Sequence, residues 1–264
     1  MVRFFRKIRQ KLLENGNLRK YFWYALGEIL LVMVGILLAL QVNNWNEERK
    51  DALTETQYLK SLLQDLQTQV EALNGNIANE TIHFERAVGL INAYNWDGKL
   101  NSTEENRELM ASLWGRTTFV VHDPTFSELI ATGNIQLISN EILRNQIIEY
   151  YQDFERVELI IQKNNDMKDQ SIMPSVFKYV DIWPEAALKL QENSLRVQNS
   201  ARIDTIKYPS FLEFGEEILN REEVVFEILN MAKFKTMTHS IAINLLVDSK
   251  AEAQNLIKNI KAQL

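Results

Sequence analysis

The sequence predicts an all-α protein, with one N-terminal transmembrane helix followed by a bundle of long helices outside the membrane. Three observations carry that expectation. Residues 21–42 form an apolar run broken by a single charge, Glu28. A heptad of apolar residues then extends from Leu59 to Tyr94. Glycine and proline are scarce, 9 and 4 in 264 residues, which suits long helices and disfavours a many-turned β fold.

The apolar run reads YFWYALGEILLVMVGILLALQV. As a helix it spans roughly 33 Å, close to the hydrocarbon thickness of a bilayer. Tyr21, Phe22, Trp23 and Tyr24 form an aromatic belt at its start, and Trp45 sits just past its end, so Trp23, Tyr24 and Trp45 are the expected interfacial anchors. Residues 1–20 carry Arg3, Arg6, Lys7, Arg9, Lys11, Arg19 and Lys20 against Glu14 alone. Beyond the span only Arg49 and Lys50 follow closely, beside Glu47, Glu48 and Asp51. The positive-inside rule then keeps the N-terminus cytoplasmic and the rest outside. Gln41-Val42-Asn43-Asn44 offers no small-residue cleavage site, so the span reads as an uncleaved signal anchor.

The expected organisation has three parts: a cytoplasmic basic amphipathic segment (1–20), a transmembrane helix (21–43) and an outer helical domain (44–264). In the first, Phe4, Phe5, Ile8, Leu12 and Leu13 share one side, and Asn15-Gly16-Asn17 ends the helix.

Within the span, Gly27, Leu31, Gly35 and Ala39 recur every fourth residue and leave a shallow strip where another helix can approach. Glu28 lies roughly 10 Å in from Tyr21. A carboxylate there is neutralised, reaches back to the interface, or makes a polar contact with another transmembrane helix.

In the outer domain, one heptad row is Leu59, Leu66, Leu73, Glu80, Ala87 and Tyr94, and the second is Leu63, Val70, Ile77, Phe84 and Ile91. Only Glu80 breaks the pattern. Leu62, Val88 and Leu90 widen the stripe, so it is expected to pack within a bundle, with Gly75 as the expected kink. Trp96-Asp97-Gly98 reads as a turn. Ser102 with Glu105 reads as a capping box, and a helix follows to about Gly115. Residues 117–121 read as an extended piece. Asp123-Pro124 opens a helix that Gly133-Asn134 closes, and another runs from about Asn140 to Gln170. The stretch 184–209 is polar and irregular. Asn220 with Glu223 reads as a second capping box before a helix that runs almost to the C-terminus. The stretches 53–94 and 221–262 are expected to pair, antiparallel.

Little catalytic chemistry is legible. There is no cysteine, which excludes disulfides, thiolate metal sites and cysteine nucleophiles. His83, His122 and His239 are not at metal-ligand spacing and read as surface or packing residues. No phosphate-binding glycine loop or nucleophile elbow occurs. From residue 51 onward there are 31 acids and 20 bases, a net charge of -11, which argues against a nucleic-acid partner. No cofactor, metal or catalytic residue is expected. The stretch Phe119–Phe126 reads as an interhelical corner, with a partner groove as the alternative.

The words FFRKIRQKLL, YALGEILLVMVGILLALQVNNWNEERK and PTFSELIATGNIQLISNEILRNQIIEYY resemble an uncharacterised family of single-pass envelope membrane proteins of Bacteroidota-type bacteria. The resemblance implies an inner-membrane anchor and a periplasmic long-helix bundle, and brings no catalytic residue. It also draws attention to Asp204-Thr205-Ile206, which matches the short O-glycosylation acceptor pattern of such bacteria. Thr205 is the residue to check, although three residues often match by chance.

The expected function is a membrane-anchored periplasmic scaffold or accessory subunit of an envelope complex. Its expected partners are the lipid bilayer and other transmembrane helices. A periplasmic sensor or small-ligand-binding bundle is the alternative, with a periplasmic enzyme behind it. Topology is directly testable. A C-terminal alkaline phosphatase fusion is expected to be active and a C-terminal green fluorescent protein fusion dark; the reverse pattern would overturn the orientation.

Overall fold

The computed structural model describes residues 18–100, 103–180 and 208–264. Among them are seven α-helices and no strand. These are α1 (Leu18–Asp97), α2 (Glu104–Ala111), α3 (Pro124–Thr132), α4 (Glu141–Ser171), α5 (Met173–Tyr179), α6 (Pro209–Leu219) and α7 (Glu222–Gln263). Two short 3₁₀ turns, Ser112–Trp114 and Asn134–Leu137, follow α2 and α3. The amphipathic segment 2–14, Ser102, Thr205 and nearly all of 184–209 lie outside the described residues. The chain divides into two compact units between Tyr58 and Leu59.

In the first unit, α1 leaves its apolar side chains uncovered on every side. Leu31 is 68 % exposed and Leu38 62 %. A water-soluble protein hides such a surface, whereas lipid covers it at no cost. This helix is long and apolar enough to cross a membrane.

The second unit is built on three long helical stretches. Residues 59–97 of α1 run parallel to α4: Gln69 meets Tyr150 and Tyr151 near one end, and Glu80 interacts with Lys168 further along. α7 runs antiparallel to both. Asn140 and Gln146 of α4 bond Gln263 and Asn259, while Glu80 meets His239 and Leu90 shares a core cluster with Val224 and Ile228.

The buried face of α1 differs from the sequence expectation in phase. Leu59, Leu66, Leu73, Glu80 and Ala87 are buried as one row. The second buried row holds Leu62, Gln69 and Leu90, three residues on, whereas Leu63, Val70, Ile77, Phe84 and Ile91 are only half-buried. The row at three is the one that faces α4 and α7, which leaves the row at four on the rim. α1 is helical through Gly75 without a break.

Because α1 and α4 are parallel, the chain must travel back along the bundle between them. Residues 115–123 do this in extended form. Gly115, Thr117, Phe119, Val121 and Asp123 are half-buried, while Arg116, Thr118, Val120 and His122 between them are exposed. That is the two-residue alternation of a strand with no strand beside it. Side chains take over the role of a sheet neighbour. Asn165 donates to the Thr117 carbonyl at 2.9 Å, and Gln69 donates to the His122 carbonyl at 2.6 Å. Lys235 donates to the carbonyls of Leu113, at 2.9 Å, and of Gly115. Phe119 meets Phe154 edge-on and Phe126 stacks on Tyr151 at 4.3 Å, so this corner packs into the bundle.

Several helix starts also differ from expectation. The cap of α2 is Thr103, whose hydroxyl accepts from the Asn106 amide, not Ser102. Asn220 ends α6 instead of opening α7; its amide donates to Glu216 and Ile218, and Arg221 precedes α7 without a side-chain cap. Asn140 caps α4 through the Leu143 amide. Pro174 breaks the helical ladder, but α5 restarts on it at once. Gly133 closes α3 at φ +73°, and Gly98 follows α1 at φ +69°, both left-handed conformations that favour glycine.

At α3 the carboxylate of the expected cap, Asp123, makes no bond to the helix amides; it accepts from the Ser127 hydroxyl instead. The Thr125 amide is met from across the bundle by the Asp65 carboxylate, at 3.1 Å. Asp65→Ala should therefore cost ~1 kcal/mol of stability, as loss of a cap does, and Asp123→Ala less. Urea unfolding of the two variants decides it, and the reverse order would contradict the assignment.

Candidate functional site

Helical geometry places Gly27, Leu31, Gly35 and Ala39 on one broad face of α1. An added Cβ at Gly27 or Gly35 would meet nothing within 4 Å, so the strip is open to a neighbour. Trp23 and Trp45 are each 63 % exposed, while Tyr24 and Glu28 are partly covered. These residues belong to the first unit.

The second unit holds a cluster that the sequence reading did not assemble. Glu80, the one residue to break the heptad, is 2 % exposed, and His239 from α7 is fully buried. His239 Nδ1 lies 2.5 Å from Glu80 Oε2. The His83 ring, one turn along α1, stacks on His239 with centroids 5.3 Å apart. Lys168 of α4 and Lys235 of α7 are both buried nearby, and Arg116 on the extended segment pairs with Asp169 at the rim. Gly115 is required by this arrangement: a Cβ there would lie 2.7 Å from Cε1 of His83.

The electrostatics follow from burial and from the count of charges. Burial pushes the Glu80 carboxyl up, but the His239 hydrogen bond and charge, together with Lys168, outweigh it and hold Glu80 below the usual carboxylate range. Burial pushes His239 down, and this exceeds the opposing pull of Glu80. His83 is pushed down to about 4, by burial first and then by Lys235 and His239. Burial lowers Lys168, and it pushes Lys235 down to about 7 with Lys168 adding repulsion. The resulting unit is a carboxylate that accepts the Nδ1–H of a neutral histidine, with ammonium groups around it.

Of the expected packing histidines, two thus meet in one cluster, while His122 is exposed and contributes its carbonyl. The signal for the site was Glu80 within an apolar repeat. The offset of three residues then adds Gln69 and His83 to the inward rows. Among the described residues, no group of three or more His, Asp or Glu is placed to hold a metal ion. A separate polar cleft of about 170 Å³ lies between α4 and α7, lined by Gln146, Glu149, Asp153, Glu252 and Asn259. Burial, then Asp153 and Asp248, raise the Glu252 carboxyl.

Residues 28–85 match a family of unknown function, DUF6090. The matched stretch starts at Glu28, includes Gly35, Ala39 and Trp45, and ends just past Glu80 and His83; it does not reach residues 124–151. No curated protein and no solved structure matches the chain.

The lysine gives a pH test. Unfolded, Lys235 holds its proton up to its ordinary value of 10.5; folded, it holds it only up to about 7. Between those values the unfolded state binds more protons, so stability rises with pH. Its contribution is complete above 10.5 and is lost as pH falls towards 7. Urea titrations at pH 7, 8, 9 and 10 should show a smaller rise in Lys235→Met than in the wild type. Parallel curves would show that the ammonium is not desolvated in this way.

Proposed function

We propose that this chain is a membrane-anchored scaffold or accessory subunit of an envelope protein complex, with its N-terminus in the cytoplasm and its helical domain in the periplasm. The observation that supports this reading best is the contrast between the two units. The domain from Leu59 onward consumes its own heptad seam in a closed core, whereas the apolar surface of α1 ahead of it is uncovered on every side. Lipid covers most of such a surface. The strip at Gly27, Gly35 and Ala39 offers close backbone approach, which is how helices associate where no hydrophobic driving force separates them from lipid. Glu28 beside the strip can add a hydrogen bond worth about 1 kcal/mol. The basic flank supports the inward orientation of the N-terminus. The family resemblance supports an inner-membrane location in a Bacteroidota-type envelope.

A periplasmic ligand-binding or sensory role is the second reading, and the polar cleft between α4 and α7 favours it. A compact cationic ligand suits its carboxylates and amides. Saturable binding of such a ligand, lost in Glu252→Gln, would turn the assignment towards this reading.

The leading reading is tested in the membrane. Crosslinking or native mass spectrometry of the full chain in lipid is expected to show assemblies. Gly35→Ile should weaken them, because its side chain holds backbones apart. Glu28→Leu should weaken them more than Glu28→Gln, whose amide still hydrogen-bonds. A monomeric wild type, or a Gly35→Ile variant that assembles normally, would contradict the proposal.

A further inference from the structure

Glu80 and His239 are closed to solvent and His83 is half-buried beside them, and the geometry gives an added proton on either ring no acceptor at the buried nitrogen. His239 is fully buried and spends Nδ1 on Glu80; its Nε2 has no hydrogen-bond partner among the described residues. His83 lies flat against it, and His83 Nδ1 is likewise buried without a partner. A neutral imidazole tolerates an unpaired ring nitrogen as a weak acceptor. An imidazolium has two N–H groups, and each here would gain a donor with nothing to meet it.

The surrounding charges sharpen the point. The stack feels Glu80 and Arg86 from α1, Lys168 from α4 and Lys235 from α7; Arg86 in turn lies 4.0 Å from Glu108 of α2, and Lys168 is flanked by Asp169 and by Arg116 of the extended segment. Arg116 and Asp169 pair with each other. Glu80 is left as the buried carboxylate against Lys168 and Lys235. Any proton added to either ring is therefore a further positive charge in a site where cations already outnumber anions.

The element that can yield is the extended segment. It has no ladder of its own, its carbonyls are held by side chains, and Gly115 sits directly against His83. Lys235, the residue that holds Leu113 and Gly115, is itself part of the crowded cationic group. Lifting the segment opens a path for water to His83, which is only half-buried, without separating the long helices.

We propose that the stacked His83–His239 pair is an acid-sensitive latch: protonation of the stack releases residues 113–123 from the bundle while α1, α4 and α7 stay packed. The release uncovers the apolar surface beneath Phe119, including Phe154. The direction follows from linkage. A histidine depressed in the closed state contributes stability that is present above its ordinary value of 6.5 and is lost as pH falls towards about 4. From pH 7 to pH 5, His83 alone would shift the opening equilibrium roughly twenty-fold.

The test is hydrogen–deuterium exchange of the full chain in lipid nanodiscs at pH 7, 6 and 5, corrected for intrinsic exchange rates. Protection of 113–123 should fall by about ten- to twenty-fold at pH 5, while α4 and α7 keep theirs. In His83→Gln, which removes the titrating group, most of that fall should disappear. Unchanged protection of 113–123, an equal fall in His83→Gln, or loss of protection in all three long helices together would each overturn the proposal. Should His83→Gln misfold, the histidine proton resonances of the wild type decide the matter. His83 and His239 should titrate below the ordinary histidine value of 6.5 and in step with release of the segment; titration of both at that value overturns the latch.

Discussion

An extended chain inside a helical bundle has nowhere to place its backbone hydrogen bonds. Residues 115–123 of this protein are in that position, because the parallel arrangement of α1 and α4 forces the chain to return along the bundle between them. Each buried carbonyl left unpaired would cost about 1–3 kcal/mol, so a segment of this length cannot be packed against an apolar surface alone. The polar side chains that face inward from the long helices answer that constraint. Gln69 comes from α1, Asn165 from α4 and Lys235 from α7, so each long helix contributes one.

The same constraint accounts for the cluster around Glu80. Lys235 reaches the Leu113 and Gly115 carbonyls only by being buried, and a buried ammonium requires a counter-charge nearby. Glu80 supplies it, with Lys168 and His239 completing the surroundings. Replacing a buried ionic group by apolar residues often stabilises a protein, so its presence here is better explained by the segment it holds than by stability for its own sake. The sensitivity of the site to protons is then a consequence of how the segment is fixed.

Much of the helical framework was legible in the sequence. The length and apolar character of residues 21–42 marked a helix fit to cross a membrane, and Asn140 and Gly133 marked the ends they occupy. The phase of the seam was not legible, because rows three and four residues on from the first are both apolar enough to qualify. Leu63 and Leu62 are adjacent, and only the directions of α4 and α7 choose between them. Capping by Asp65 was hidden for a similar reason: the acceptor lies far away in sequence, while Asp123, the local candidate, was at hand. Of the cluster, Glu80 was visible as an interruption, but its partner His239 is brought to it by the antiparallel return of α7, which no local pattern records.

The account rests on the claim that side chains from different helices jointly hold one extended segment. A double-mutant cycle of Gln69→Leu and Asn165→Leu, followed by urea unfolding, tests it most directly. The two residues come from different helices and bond different carbonyls, those of His122 and Thr117. The account predicts that each substitution costs about 1–3 kcal/mol and that the double variant loses clearly less than both losses added, because the segment is released only once. Two single variants as stable as the wild type, or two losses that add in full, would contradict it.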